Sequence, residues 1–354
     1  MKIYYDNIIY SLQKSGGIST YWSELSSRLL NSSANTVFYG YPNANIFTKY
    51  LNKGVKKESS ISYKIARYLS FQKRLKKGSI FHSSYYRIST QKDVVNITTI
   101  HDFTYEYFRG GLAKYMHSYQ KGKAIKNSDG IICVSENTKK DLLKFYPNIH
   151  EDKIKVIYNG VSDIFIQLQK PSESLVDDLK ILKERKYILF VGDRNGYKNF
   201  NLAVETVNKL QNCDLVIVGG SDLSDMEIAS IKNDYFHFQG ISAKKLNILY
   251  NNAFCLLYPS SYEGFGIPLV EAMQSGCPIV SSYVSSIPEV VKDTALLVDD
   301  ITSYNFIKEI LKLDNDNFKK ELISKGLERV KRFSWDKCFN ETYKFYEKIL
   351  EKKF

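Results

Sequence analysis

The sequence predicts an α/β protein made of two doubly wound parallel sheets. Short apolar runs alternate with helix-periodic segments along the whole chain, and this alternation indicates parallel strands covered by helices on both faces. The alternation occurs twice, on either side of a polar stretch at 162–185. The length of 354 residues suits two domains, and the hydrophobic fraction of 44% with 25% charged residues is ordinary for a folded protein.

The first half, residues 1–160, contains six apolar runs that we interpret as strands. These runs lie at 2–9, 36–40, 79–82, 94–100, 129–134 and 154–158. Helical periodicity between them is clearest at 18–30, 113–127 and 136–145. The hinge to the second domain is expected after residues 159–160.

The second half, residues 161–334, repeats the pattern more regularly. Strands are predicted at 187–192, 214–219, 235–239, 254–258, 278–281 and 295–298, and helices at 199–211, 223–233, 243–252, 267–275, 286–291 and 303–312. The final segment, 335–354, reads as one long helix, and we expect it to pack back onto the first domain.

Composition excludes several classes of protein. Five scattered cysteines without a CxxC pair argue against a zinc site or a disulfide framework and favour reduced thiols in the cytoplasm. No apolar run approaches the ~18 residues that a spanning helix needs. Asp6 interrupts the short apolar N-terminal stretch, which we therefore interpret as a first strand and not as a signal peptide.

The net charge of +12 is confined to the first half of the chain. Residues 1–160 carry 25 basic and 11 acidic side chains, whereas residues 161–354 carry 25 and 27. Between Lys49 and Lys77 there are ten basic residues and one acid. This asymmetry indicates either an anionic partner, namely nucleic acid, a membrane or a phosphorylated substrate, or an ordinary solvated surface.

Residues 61–71, within this basic segment, predict a helix with one apolar stripe. The stripe consists of residues 61, 65, 68, 69 and 71, with Lys64, Arg67 and Lys73 on or near the polar side. A helix that faces the core and a helix that lies on a membrane surface explain this pattern equally well.

Ligands of doubly wound sheets bind beyond the carboxyl ends of the strands, so the turns after the predicted strands are the candidate sites. In the first domain, Gly16 and Gly17 precede a helix and allow close approach of a ligand, although the sequence is not the GxGxxG of a dinucleotide site. His101 ends another strand and is either a hydrogen-bond donor or proton carrier, or a structural histidine held by Asp102.

Two turns of the second domain carry stronger signals. Residues 191–199 place Arg194 and Lys198 four positions apart before a helix, a pattern that suits a diphosphate leaving group but also fits two solvated cations. Residues 261–273 combine Glu263, two glycines, a proline suited to a helix start, and Glu271. Chance does not readily produce this order, and two carboxylates there can accept hydrogen bonds from sugar hydroxyls.

The spacing of Glu263 and Glu271, E-x7-E, together with Arg194 and Lys198, resembles the retaining glycosyltransferases of family 4, which have the GT-B fold. Further segments occur in the order found in that family. They are 16–18, 100–102, 134–136, 156–161, 192–200, 262–268, 287–290 and 332–335. The ordered set covers nearly the whole chain, which makes the resemblance much more specific than any one motif.

The resemblance implies two Rossmann-like domains facing across a cleft and transfer of a sugar from a nucleotide-sugar donor with retention. By resemblance, Arg194 and Lys198 hold the diphosphate and Glu271 binds the ribose. Glu263 contacts the donor sugar, helped by backbone N–H groups of the Gly264, Phe265 and Gly266 turn. His101 would face the sugar, and Gly16 and Gly17 would approach the phosphates. No covalent nucleophile is implied, so the residues act by charge stabilisation and positioning.

Neither a cofactor nor a metal is expected, because the single Asp-x-Asp, at 314–316, lies in a Lys-rich helical connector and reads as a cap. One departure from the family is Asp193, which follows Gly192 where the family often has a basic residue. The segment 196–200 resembles enzymes that make bacterial surface polysaccharides, such as O-antigen and capsule, often mannosyltransferases. This favours GDP-mannose as the donor.

The resemblance further implies a saccharide acceptor carried on polyprenyl diphosphate, used by a cytoplasmic enzyme at the inner face of the plasma membrane. The basic first half then fits an anionic membrane surface. A UDP-sugar-dependent family 4 transferase and another GT-B nucleotide-sugar enzyme, such as an epimerase, are the alternatives. A nucleic-acid-binding protein is the third reading, but no helix-turn-helix, zinc or RNA-recognition signature supports it.

Overall fold

The computed structural model of the chain describes residues 1–49, 54–175, 177–194 and 196–354. It divides into two compact units: unit 1 comprises Met1–Gly160 with Trp335–Phe354, and unit 2 comprises Val161–Ser334. Each unit is built around its own parallel sheet.

Unit 1 contains, within the described residues, a seven-stranded parallel sheet in the order β3-β2-β1-β4-β5-β6-β7. The strands are β1 Lys2–Asp6, β2 Asn35–Gly40, β3 Lys56–Lys57, β4 Ser79–Ser83, β5 Val94–Ile100, β6 Gly130–Cys133 and β7 Ile154–Val156. The helices are α1 Ile9–Leu12, α2 Gly17–Asn31, α3 Tyr63–Ala66, α4 Thr104–Phe108, α5 Gly111–Asn127 and α6 Glu136–Phe145. The strand order reverses between β1 and β4, which is where ligands bind in such sheets.

Unit 2 contains a six-stranded parallel sheet, counted over its described residues, in the order β10-β9-β8-β11-β12-β13. The strands are β8 Tyr187–Val191, β9 Asp214–Val218, β10 Tyr235–Phe238, β11 Cys255–Tyr258, β12 Ile279–Ser282 and β13 Leu296–Val298. The helices are α7 Phe200–Asn208, α8 Asp225–Ser230, α9 Ala243–Asn252, α10 Ile267–Gln274, α11 Ile287–Val291, α12 Ser303–Lys312 and α13 Asp316–Val330. Here the order reverses between β8 and β11.

The last helix, α14 Trp335–Lys353, belongs to unit 1. It buries Trp335, Tyr346 and Ile349 in the main core of that unit. The Tyr346 hydroxyl bonds to the Tyr5 hydroxyl at 2.8 Å and to Nδ1 of His82 at 2.5 Å. A polar network therefore ties this distant part of the sequence to the centre of the first sheet.

The predicted helix over residues 61–71 is wrong. Only the single turn α3 forms, and Phe71 instead pairs with Ser89 and packs into a core cluster. The backbone carbonyls that would continue the helix are taken by tertiary partners, since Gln120 donates to the Arg67 carbonyl and Arg87 Nε donates to the Leu69 carbonyl at 3.0 Å. Long-range hydrogen bonds here override local periodicity. Residues 50–53 of the basic segment lie outside the described residues.

Smaller differences have similar causes. The first strand ends at Asp6 and not at residue 9, because Asp6 is buried and binds Arg87 at 2.9 Å while the chain turns into α1. The sequence pattern did not predict the helices α1, α4 and α13 or the two-residue strand β3. All five cysteines are buried and unpaired. In the described part of the chain we find no helix long and apolar enough to cross a membrane.

Candidate functional site

Three turns of unit 2 are hydrogen-bonded to one another beyond the carboxyl ends of its central strands β8, β11 and β12. The first turn comprises residues 192–194 and 196–199, the second residues 259–266 and the third residues 283–286. All three follow strands that are neighbours in the sheet, so parallel topology alone brings them to one edge. The candidate donor-binding residues Lys198 and Glu263 lie on the first two.

Lys198 and Glu263 form an ion pair, with Nζ 2.5 Å from Oε1 of the carboxylate. The same ammonium donates to the Tyr258 hydroxyl at 3.0 Å. Both charged side chains are about nine-tenths buried. A carboxylate and an ammonium that satisfy each other in this way offer exchangeable partners to an incoming anion and to a hydroxyl.

Asn199 ties the first turn to the second. It adopts a left-handed conformation with φ of 52°, which asparagine tolerates better than most residues. Its amide donates to the Pro259 carbonyl and to the Ser261 hydroxyl, both at 2.8 Å. This tie fixes the backbone next to Lys198.

Ser285 and Ser286 tie the third turn to Glu263. The Glu263 N–H donates to the Ser285 hydroxyl at 2.8 Å, and the Ser286 hydroxyl donates to the Glu263 carbonyl at 2.9 Å. Ser285 has a φ of 48°, which costs conformational energy for a residue with a Cβ. Backbone strain of this kind clusters at functional sites, which makes Ser285 a candidate positioning residue for Glu263.

Glu271 lies in helix α10, which begins after Gly266 with Pro268 in its first turn. Gly266 has a φ of 90°, and a Cβ there would come within 2.8 Å of the Leu269 side chain. The Glu271 carboxylate accepts from the buried Tyr250 hydroxyl at 3.1 Å. Burial raises the pKa of Glu271 to about 7, although the Tyr250 hydrogen bond acts in the opposite direction.

Arg194 does not share a partner with Lys198. Its Nε binds Glu227 at 2.8 Å, and Nη2 donates to the carbonyls of Ser221 and Asp222 at 2.7 and 2.8 Å. A Cβ on Gly220 would meet the guanidinium at 2.4 Å, so this glycine is needed for the contact. The guanidinium thus holds the turn after β9, and its predicted diphosphate contact stays a prediction.

In unit 1, His101 follows β5 and its ring packs edge-on against Tyr21 with centroids 4.9 Å apart. Burial lowers the pKa of His101 below its ordinary value; the negative Asp102 opposes this shift and the positive Lys121 reinforces it. The imidazole is therefore neutral at neutral pH and suited to donating a hydrogen bond. Asp102 accepts from the Thr104 N–H at 2.9 Å and so organises its own turn.

Lys121 is a buried cation beneath this turn that the sequence analysis did not single out. Its Nζ donates to the Asp102 carbonyl at 2.9 Å and to Glu106 at 2.7 Å. The ammonium also lies 4.6 Å from the centre of the Phe103 ring. These contacts fix the backbone that carries His101, and only the fold reveals that Lys121 faces inward.

Gly16 and Gly17 stand at the start of α2, where Gly16 has a φ of 154°. The hydroxyls of Ser19 and Thr20 donate back to the Gly16 carbonyl at 2.9 and 3.1 Å. A Cβ at Gly16 would approach the Gln13 side chain to 3.0 Å. The turn is exposed, as a ligand contact requires.

Of the remaining predicted residues, Phe265 is buried and packs against Phe333 with ring centroids 5.6 Å apart. No cluster of three or more His, Cys, Asp or Glu suited to a metal occurs among the residues that the structure describes. Reasoning from the sequence missed Ser285, Asn199 and Tyr250, because their contribution depends on contacts across different turns and helices. A serine forced into a left-handed turn has no signature of its own in the sequence.

Two Rossmann-like units, each with a parallel sheet, match the architecture of GT-B glycosyltransferases. Comparison with known proteins agrees: residues 15–163 match the model of Glycosyltransferase Family 4, and residues 171–329 match that of Glycosyl transferases group 1. The chain belongs to the glycosyltransferases of family 4.

Its relatives include O-antigen chain mannosyltransferase B of Escherichia coli, 27% identical over 271 residues that span 71% of this chain and 70% of that protein. O-antigen chain mannosyltransferase RfbU of Salmonella typhimurium is 29% identical over 249 residues, 67% of this chain and 65% of that one. Among solved structures, sucrose-phosphate synthase from Thermosynechococcus elongatus superposes with a TM-score of 0.75 at 17% identity over 99% of both chains. That likeness concerns the fold alone.

Proposed function

We propose that this glycosyltransferase transfers mannose from GDP-mannose, with retention at the anomeric carbon, to a saccharide acceptor in surface-polysaccharide synthesis. The observation that carries the proposal is the Lys198–Glu263 pair at the strand edge of unit 2. Two O-antigen mannosyltransferases among the relatives support the choice of sugar.

The two members of the ion pair bind different parts of the donor, Lys198 the diphosphate and Glu263 the sugar. When a nucleoside diphosphate enters, its oxygens replace the carboxylate as partners of Lys198, and Glu263 is released to accept hydrogen bonds from the sugar. Glu271, partly exposed on α10, accepts from the ribose hydroxyls. Lys198 then offsets the charge that develops on the departing diphosphate.

In this proposal, the groups of unit 1 that contact the donor are uncharged. His101 donates a hydrogen bond to the donor sugar, and the Gly16–Gly17 turn faces the phosphates. No covalent nucleophile takes part; the departing phosphate accepts the proton of the attacking acceptor hydroxyl on the same face of the sugar. The protein supplies positioning and charge stabilisation.

For the acceptor we propose a saccharide linked to polyprenyl diphosphate, used by an enzyme located in the cytoplasm at the inner face of the plasma membrane. The O-antigen relatives and the basic character of residues 1–160 support this choice. Neither a metal nor another cofactor is part of the proposed reaction.

A thermal-shift screen of GDP-, UDP-, ADP- and dTDP-sugars, each with and without EDTA, tests the donor. We expect GDP-mannose to stabilise the protein most and EDTA to have no effect. Incubation with the preferred donor and a short synthetic acceptor, followed by NMR of the product anomeric proton, tests retention.

Stabilisation by UDP-sugars alone would instead indicate a UDP-sugar-dependent transferase. Conversion of the donor without an acceptor product, into an epimer, would indicate the epimerase alternative. An inverted product would show that the retaining assignment is wrong.

A further inference from the structure

The N-terminal part of helix α5 exposes its apolar side chains and buries polar ones, which is the opposite of a normal surface helix. Leu112, Tyr115, Met116 and Tyr119 follow the i, i+3, i+4, i+7 spacing of an apolar stripe, yet they are 76%, 73%, 41% and 73% exposed. The opposite side buries polar residues instead, namely His117, Gln120 and Lys121. A surface helix normally turns its apolar stripe toward the core, and an exposed apolar patch marks a candidate interaction site.

The exposed stripe continues onto the chain segment beside it. Ile65, Tyr68 and Leu69 are also exposed, and Gln120 of α5 donates to the carbonyl of Arg67 in this segment. Tyr68 and Leu69 of this segment and Met116 and Tyr119 of α5 line the same groove. The two segments therefore make one continuous apolar surface, which we call the α5 surface.

The two segments that carry the α5 surface are strongly basic. Residues 61–77 and 109–127 together contain eleven Lys and Arg and no Asp or Glu. Of these eleven only Lys121 is buried. Lys64, Lys123 and Lys126 are exposed, and Lys123 lines the groove itself. The nearby carboxylate of Glu106 is turned toward the buried Lys121, so the two segments themselves present cations and no carboxylate. Such a surface is complementary to a bilayer, which has anionic headgroups above an apolar interior.

We propose that the α5 surface docks on an anionic lipid bilayer, with Leu112, Tyr115 and Tyr119 entering the headgroup region and the lysines facing anionic lipid. Tyrosine suits this depth, because its ring is apolar and its hydroxyl remains hydrated. The proposal rests on the proposed function in one respect, since a lipid-linked acceptor requires the enzyme at a bilayer. The membrane-surface helix expected at 61–71 does not form, and the proposed membrane contact is centred on α5 instead.

Co-sedimentation of the full chain with vesicles tests the proposal. The vesicles contain phosphatidylcholine alone or with about one third phosphatidylglycerol, at about 50 and 500 mM salt. An apolar variant carries Leu112→Gln, Tyr115→Gln and Tyr119→Gln. A charge variant carries Lys64→Gln, Lys123→Gln and Lys126→Gln. The matched control removes equally exposed apolar residues from unit 2, as Met226→Gln, Tyr304→Gln and Leu311→Gln.

We expect the wild type and the control to bind anionic vesicles at low salt and to dissociate at high salt. The apolar variant should bind at least about tenfold more weakly, and the charge variant more weakly still. Thermal unfolding should be unchanged in the variants because all the replaced side chains are exposed. Failure of the wild type to bind at low salt, or equal binding by the apolar variant, would overturn the proposal.

Two further measurements distinguish a membrane-docking surface from a dimer interface, and failure of this proposal from failure of the proposed function. Sedimentation velocity without lipid reveals a dimer that the apolar variant loses if the α5 surface joins two copies of this chain, and that result together with no vesicle binding also overturns the proposal. GDP-mannose binding is measured on the same samples. Donor binding without vesicle binding refutes the α5 surface alone, whereas vesicle binding without any nucleotide-sugar binding refutes the proposed function alone.

Discussion

At the residue scale, the charged side chains of the candidate site form ion pairs. Lys198 and Glu263 neutralise each other at 2.5 Å, and Arg194 is paired with Glu227. A buried charge without a partner is costly, and these ion pairs satisfy the charges within the protein. Removing either member of a pair therefore affects the other.

Replacing Lys198 with alanine should lower turnover by about 100-fold or more, because the diphosphate loses the cation that stabilises its departure. Calorimetry with the nucleoside diphosphate should show weaker binding as well. Lys308→Ala on α12, an exposed lysine of the same unit, is the control and should leave both quantities unchanged. Near-normal turnover of a folded Lys198→Ala protein would remove Lys198 from the site.

Two variants at Ser285 distinguish its effect on the position of Glu263 from its effect on the stability of the protein. Ser285→Ala keeps the strained φ and leaves the Glu263 N–H without its acceptor, so it should cost about 1 kcal/mol of unfolding free energy. Ser285→Gly relieves the strain and should unfold at nearly the wild-type temperature. Both should reduce turnover by about tenfold, because the Glu263 backbone loses one of the two serine hydrogen bonds that position it. Full activity of Ser285→Gly would show that the serine is only a turn residue.

Ionised Glu271 is predicted to lower the free energy of unfolding of the protein. Its pKa of about 7 lies above the ordinary value, so the folded state resists its ionisation and loses stability as the pH rises from about 4.5 through 7. Glu271→Gln should therefore raise the unfolding free energy at pH 8 by about 1 to 3 kcal/mol, and by little at pH 4. It should also weaken nucleotide binding.

Thermal unfolding from pH 4 to 8 measures this difference, with Glu347→Gln on α14 as the exposed control. A Glu271→Gln protein less stable than wild type at pH 8 would contradict the pKa shift.

At the element scale, α14 holds unit 1 together across the whole length of the sequence. The Tyr346 hydroxyl joins Tyr5 and His82, and His82 Nε2 continues to the Thr99 hydroxyl at 3.0 Å. All these groups are buried, so each depends on the others for its hydrogen bonds.

Tyr346→Phe removes one hydroxyl without changing the packing of the ring. We expect a loss of about 1 to 3 kcal/mol in unfolding free energy, because Tyr5 and His82 both lose a partner. Tyr343→Phe on the same helix is the matched control and should cost much less, since Tyr343 is only partly buried. Denaturant unfolding of both variants decides the comparison; equal stabilities would mean that the network contributes nothing.

At the scale of the whole molecule, the two units should respond differently to acid. Burial lowers the pKa of His82 and of His117 to about 3, and it also lowers the pKa of His101. All three histidines lie in unit 1. Because the unfolded chain takes up their protons near pH 6.5, unit 1 loses stability as the pH falls below that value. Asp6 opposes this, since burial raises its pKa.

Hydrogen exchange followed by mass spectrometry at pH 7 and pH 5, corrected for the intrinsic exchange rate, tests this difference. Protection of β4, β5 and α14 should fall on acidification by on the order of 1 kcal/mol per pH unit for each histidine. Protection of β8, β9 and β11 in unit 2 should fall less. An equal loss in both units would show that the buried histidines do not govern acid stability.

Much of the architecture is local information and was predictable. Alternating apolar runs predicted every strand except β3, and helix periodicity predicted most helices, because burial on both faces of a parallel sheet demands continuous apolar runs. The sequence also pointed to Lys198, Glu263 and Glu271, since charged residues beside glycine and proline in strand-to-helix turns are typical of ligand sites. The structure places Lys198 and Glu263 in one ion pair, and the roles of all three residues stay predictions.

The tertiary structure decided the rest. The carbonyls of Arg67 and Leu69 accept hydrogen bonds from residues far along the chain, and so the helix expected at 61–71 stops after one turn. Lys121 faces inward and Tyr115 outward on α5 against the usual preference of each, because Asp102 and Glu106 lie where the ammonium can reach them. Sequence patterns report what a residue prefers on average, whereas its partners are known only once distant segments have met.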